Sequence, residues 1–91
     1  MVNKPFKEDK IEESVVIRTF SPDIDEQDLK WHWDAEDRLI EPIGENDWKF
    51  QFDNQLPIEI NTIIRIPEGQ IHRVIKGTSE LKIKITKNYV H

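Results

Sequence analysis

The sequence predicts an all-β domain of about eight short antiparallel strands. Three observations carry that reading. Short alternating or β-branched runs recur along the chain, residues with turn chemistry separate them, and no segment carries the apolar stripe of a core-facing helix.

The runs are Ser14–Phe20, Leu29–Asp34, Arg38–Ile43, Asp47–Phe52, Leu56–Ile60, Thr62–Ile66, Gln70–Ile75 and Glu80–Thr86. Between them lie Ser21-Pro22-Asp23, Gly44-Glu45-Asn46-Asp47, Asp53-Asn54, Pro67-Glu68-Gly69 and Lys76-Gly77-Thr78-Ser79, all built from residues that preset or tolerate turn conformations. Spacings of about 8–12 residues suit an antiparallel sandwich or small barrel. One helix of at most two turns is expected at Asp23–Lys30, where apolar positions are sparse. Residues 1–13 are polar apart from isolated points such as Phe6 and Ile11, and are expected to form a mobile arm; residues 14–91 form the single domain.

Strand alternation assigns faces. Trp48, Phe50 and Phe52 share one side of their run, with Lys49, Gln51 and Asp53 on the other. Leu81, Ile83 and Ile85 likewise oppose Lys82, Lys84 and Thr86. In the stretch LKWHWDAEDR the rule groups Leu29, Trp31 and Trp33 against Lys30, His32 and Asp34. The tryptophans, with Trp48, are expected in the core or at a dimer interface. Taken alone, this stretch is an amphipathic strand with a solvated polar face.

Composition narrows the function. Ninety-one residues leave no room for two cores. A net charge of −5 argues against a nucleic-acid binder, which needs a basic stripe. Cysteine is absent, which excludes disulfides, thiolate metal sites and cysteine nucleophiles. No apolar run approaches the roughly 18–20 residues that cross a bilayer. The first residues lack the apolar segment of a secretory signal, so a cytoplasmic protein without a membrane partner is expected.

The stretch NTIIRIPEGQIHRVIKG, Asn61 to Gly77, adds a second feature. Pro67 and Gly69 make a tight turn that brings His72 back beside the strand just left. Pro-x-Gly-x-x-His resembles the second motif of the cupin superfamily, in which a glycine, five residues, Pro-x-Gly and two residues precede a metal-ligating histidine. Asn61 stands at the opening glycine, and asparagine also tolerates the left-handed conformation. The first cupin motif is His-x-His, three or four residues, glutamate, six residues and glycine. It resembles His32-x-Asp34, then Asp37 and Gly44, with the middle gap one residue short.

The resemblance covers about Leu29 to Thr86 and implies a double-stranded β-helix, or jelly-roll barrel. It implies a divalent metal ion held by His32, Asp34, Asp37 and His72. Imidazole and carboxylate ligands suit iron, manganese, zinc, nickel or copper. Whether Asp34, Asp37 or both ligate separates a facial triad from a four-ligand centre. Such a protein acts on a small polar molecule as a non-haem oxygenase or an isomerase, with Arg38 and Gln51 as candidate substrate contacts. Lys82 and Lys84 are further candidates to pair a substrate carboxylate. Two other readings stand beside it: a non-enzymatic cupin ligand-binding or interaction module with a vestigial site, and an unrelated β-sandwich. Small single-domain cupins commonly dimerise, so a homodimer is expected, with the arm and Ser14–Phe20 as crossing elements. His91 is expected to be a frayed end.

Overall fold

A computed structural model of the chain describes residues 5–88. Eight strands run β1 Lys7–Glu12, β2 Val15–Phe20, β3 Arg38–Pro42, β4 Lys49–Phe52, β5 Ile58–Glu59, β6 Ile64–Ile66, β7 His72–Ile75 and β8 Leu81–Lys87. They form a five-stranded sheet ordered β1-β2-β8-β3-β6 and a three-stranded sheet ordered β5-β4-β7, with every pairing antiparallel. The two sheets enclose one core. β2, β3, β6 and β8 contribute Val16, Phe20, Ile40, Ile64, Ile66, Leu81, Ile83 and Ile85, and the other side contributes Trp48, Phe50 and Ile60.

β8 shows how alternation builds this core. It lies between β2 and β3, and its Leu81, Ile83 and Ile85 are fully covered while Lys82 is exposed. Such burial contributes about 1.5–3 kcal/mol for each large aliphatic side chain. Trp48 and Phe50 are the matching pair opposite, and the Trp48 indole N–H donates to the Ser79 carbonyl, which satisfies its one polar atom.

Three expectations are corrected. Residues 7–12, placed in a mobile arm, form β1, the outer strand of the larger sheet. The run KEDKIE has no apolar face, yet Glu8 lies directly opposite Arg18 of β2 and binds it across the strands at 2.6 Å. A cross-strand ion pair thus replaces the missing apolar side. The helix expected at Asp23–Lys30 shrinks to one 3-10 turn, Glu26–Asp28, capped by the Asp25 side chain on the Gln27 amide. Without an apolar stripe nothing anchors a longer helix to the core. The run Leu29–Asp34 is extended only in part, with a single ladder bridge at His32. Residues 1–4 of the arm and His91 lie outside the described residues.

Trp31 and Trp33 are not core. They are 43% and 61% exposed. Their neighbours His32 and Asp34 turn toward the space between the sheets, and among the described residues no third layer covers the outer side. Trp31 instead stacks on the Arg73 guanidinium, 4.4 Å from its ring centre. No helix among the described residues is long and apolar enough to cross a membrane.

Candidate metal centre

His32 and His72 reach one point by a backbone device. Each donates its amide to the other's carbonyl, at 3.0 and 2.9 Å. This is a hydrogen-bonded antiparallel pair, so both side chains rise on the same face. Their rings lie 4.3 Å apart between centroids. A separation above about 10 Å would select the unrelated sandwich, because two ligands of one ion cannot lie that far apart, and the rings are well inside it.

The turn that delivers His72 also places Asp34. Gly69 adopts φ 77°, a left-handed conformation that glycine reaches without penalty, and Gln70 donates to the Pro67 carbonyl to close the turn. The Gly69 amide then donates to the Asp34 carbonyl at 2.9 Å. Pro-x-Gly therefore fixes the backbone of both a histidine and the aspartate facing it.

Ligand atoms of His32, Asp34 and His72 all lie within 4.8 Å of one another. Asp34 is 9% exposed and His72 4%, whereas His32 is exposed at the rim, so the group opens to solvent on one side. Each histidine ring is oriented by its own chain. His32 Nδ1 lies 2.9 Å from the Lys30 carbonyl and His72 Nδ1 lies 2.8 Å from the Gln70 carbonyl. A carbonyl only accepts, so both Nδ1 atoms carry hydrogen, and in the neutral rings both Nε2 atoms are left as lone-pair donors. That is the tautomer a metal requires, held by an outer hydrogen bond.

The third side of the group tests whether a cation fits it. His72 Nε2 lies 3.3 Å from Asp34 Oδ2, a buried oxygen that accepts no hydrogen bond. Two lone pairs facing each other repel, so the pair needs either a second proton on His72 or a cation between them. Two ligands each about 2.1 Å from one ion stand roughly 3 Å apart at right angles, so a divalent ion fits the gap. Burial would raise the Asp34 carboxyl, but His72, Arg38 and His32 outweigh it and hold it below the ordinary carboxylate value. The ionised carboxylate so favoured is the form that ligation demands.

The other predicted residues separate. Asp37 is outside the group: its Oδ1 accepts the Glu68 amide at 2.7 Å, capping the Pro67–Gly69 turn from outside. The short gap after Asp34 leaves it on the turn. Gln51 faces away from the cavity, where its Oε1 takes two bonds from Arg73, its cross-strand partner. Lys82 and Lys84 do not line the cavity either, having the opposite alternation to Ile83 and Ile85. Arg38 does line it, and binds Asp34 Oδ1 at 3.3 Å and Glu36 at 3.5 Å.

The cavity between the sheets measures about 380 Å³. Its walls are chiefly apolar, with Phe20, Ile40, Phe50, Ile66, Ile83 and Ile85 among them. Arg18 also lines it, a residue that sequence reasoning passed over. The signal was present: in Val16, Arg18 and Phe20 the period of two puts the arginine on the core face. Burial lowers its pKa against the opposing pull of Glu8.

Comparison with solved structures agrees with this fold. A cupin domain from Bordetella pertussis matches 98% of this chain and 100% of its own at 17% identity and TM-score 0.61. A cupin-2 domain protein from Shewanella frigidimarina matches 88% of this chain and 76% of its own at 18% identity and TM-score 0.58. A DMSP lyase structure matches 84% of this chain at 17% identity and TM-score 0.66, although the match spans only 38% of the lyase chain. No family profile and no curated protein matches the sequence. The chain has the cupin fold, and within it a His-Asp-His group able to hold a metal.

Proposed function

We propose that the protein is a small metal-binding cupin in which His32, Asp34 and His72 hold one divalent ion and the cavity behind them receives a small polar molecule. The unpartnered Asp34 Oδ2 carries this reading, because a buried acceptor without a donor is a costly arrangement that a cation would relieve, and the tied Nδ1 atoms leave both Nε2 lone pairs free to share that cation. A bound ion in a facial triad supplies Lewis acidity with open positions for water or substrate, which suits an oxygenase or an isomerase. The chain's own contribution is to orient both imidazoles, keep Asp34 ionised and shield the cavity with apolar walls. Iron, manganese, zinc, nickel and copper all suit this donor set.

Elemental analysis of protein purified without metal resin, followed by Co(II) titration, tests the reading. One ion per chain is expected in the native protein and none in His72→Ala. A native chain that takes up no Co(II) supports the alternative of a non-enzymatic binding module with a vestigial site. Homodimerisation belongs to the same proposal, supported by the exposed Trp31, Trp33 and Leu56, and light scattering reads it directly.

A further inference from the structure

The cavity contains a second polar feature that the metal reading leaves unused. Arg18 rises from β2 in the five-stranded sheet, whereas the His-Asp-His group belongs to β7 and the segment beside it. Its guanidinium lies 3.8 Å above the Phe6 ring, and one oxygen of Glu8 takes bonds from Nε and Nη2, at 3.0 and 2.6 Å. These contacts fix the group in place while using two of its five N–H donors. Among the described residues, no other acceptor meets the remaining three. An arginine held rigidly in an apolar wall with unused donors is a preorganised site for a planar anion.

Charge points the same way. Around the cavity Arg18, Lys30 and Arg38 stand against Asp28 and Asp34, with Glu8 and Glu36 bound to the arginines. Three positive charges thus meet four negative ones, a deficit of one. A divalent cation on the histidines and Asp34 turns the deficit into an excess of one. The loaded cavity then lacks a single negative charge, in a space whose walls between Arg18 and the histidines are mostly Phe, Ile and Val. Arg38 is not the equivalent of Arg18: each of its Nη atoms already meets a carboxylate, Asp34 or Glu36, and only its single buried Nε lacks a partner, which offers no two-pronged fork.

We infer that the metal-loaded cavity takes a small monocarboxylate with an apolar middle, its carboxylate held by Arg18 and its far end, carrying an oxygen donor, turned toward the metal group. This rests on the metal reading and adds the substrate class and its orientation. Arg18 is in this arrangement a binding residue that selects the charge of the ligand.

The test uses Co(II)-loaded protein and 4-oxopentanoate as probe, with 4-oxopentanamide as its uncharged counterpart. Calorimetry follows affinity, and the Co(II) visible spectrum follows the metal end. The carboxylate is expected to bind at least about tenfold more tightly than the amide and to perturb the spectrum. Arg18→Gln is expected to remove that preference while leaving Co(II) affinity within about twofold; Arg18→Lys, which keeps the charge without the fork, should fall between. Equal affinity for acid and amide in the native protein overturns the inference without any variant. So does an Arg18→Gln chain that binds Co(II) and the carboxylate as the native one does. Failure of the native chain to bind Co(II) removes the metal reading and this inference together, and is distinguished by the first titration alone.

Discussion

His32 and His72 exchange both of their backbone hydrogen bonds, and this register puts their rings on one face and the adjoining Trp31 on the other. His32→Ala should therefore weaken Co(II) binding by more than the ~10–100-fold typical of losing an outer hydrogen-bond partner. Trp31→Ala should leave Co(II) affinity unchanged and cost only the stacking on Arg73, about 0.5–1 kcal/mol at an exposed site. Paired Co(II) titrations and urea unfolding curves separate the two effects.

Asp37 is assigned to the turn and not to the metal. Asp37→Ala removes the acceptor of the Glu68 amide and should cost about 1 kcal/mol of stability. Its metal stoichiometry should equal that of the native protein. Loss of the ion in this variant, measured by elemental analysis, would move Asp37 back among the ligands.

Gly77 and Gly69 should respond differently to alanine. A Cβ on Gly77 would lie 2.8 Å from both the backbone carbon and the carbonyl oxygen of Asp47, and backbone cannot step aside cheaply. Gly77→Ala should cost about 1–3 kcal/mol, the range for overpacking. Gly69 has open space but a positive φ, so Gly69→Ala should cost about 1–2 kcal/mol through the left-handed conformation. Because Gly69 also holds the Asp34 carbonyl, only this second variant should lower Co(II) affinity as well.

Asp47 sets an acid limit on the fold. Its carboxylate accepts bonds from the Thr78 hydroxyl and amide and from Ser79, and these hold its pKa well below the usual carboxylate range. A depressed carboxyl stabilises the folded chain above the unfolded value, about 3.9, and that contribution drains away as pH falls toward the folded value. The native protein should thus lose stability more steeply than Asp47→Asn between about pH 4 and pH 2, the gap between them narrowing as the pH falls. Asp34, also depressed, is present in both chains and adds a slope of the same sign to each. Urea midpoints of the two proteins at pH 7, 3 and 2 would show it; parallel curves would contradict the role given to Asp47.

Much of this architecture was legible in residue patterns. β8 alternates cleanly, and β2, β3, β4 and β8 each lie within two residues of their expected bounds because apolar runs and turn residues agree. The members of the His-Asp-His group were legible through the resemblance to the two cupin motifs, which also named Asp37, while the turn at Pro67–Gly69 explains locally why His72 returns beside His32. What escaped was decided by pairing between distant segments. β1 has no apolar period, and only the Glu8–Arg18 pair across the ladder explains it. Trp31 and Trp33 obeyed alternation, but alternation does not say which face of a strand has a second layer over it. The roles of Asp37 and Gln51 depended on partners about twenty to thirty positions away.

The outer strand β1 has a consequence for how copies of this chain meet. Among the described residues it has a strand neighbour on one side only, and Lys7, Asp9, Lys10 and Glu12 stand exposed along it with a register break between Lys10 and Glu12. An incoming strand would meet charges of both signs at close intervals and a ladder out of step. Such an edge is a poor template for the stacking of strands that leads to fibrils. The same six residues that supply the counter-ion for Arg18 thus keep an open sheet from growing.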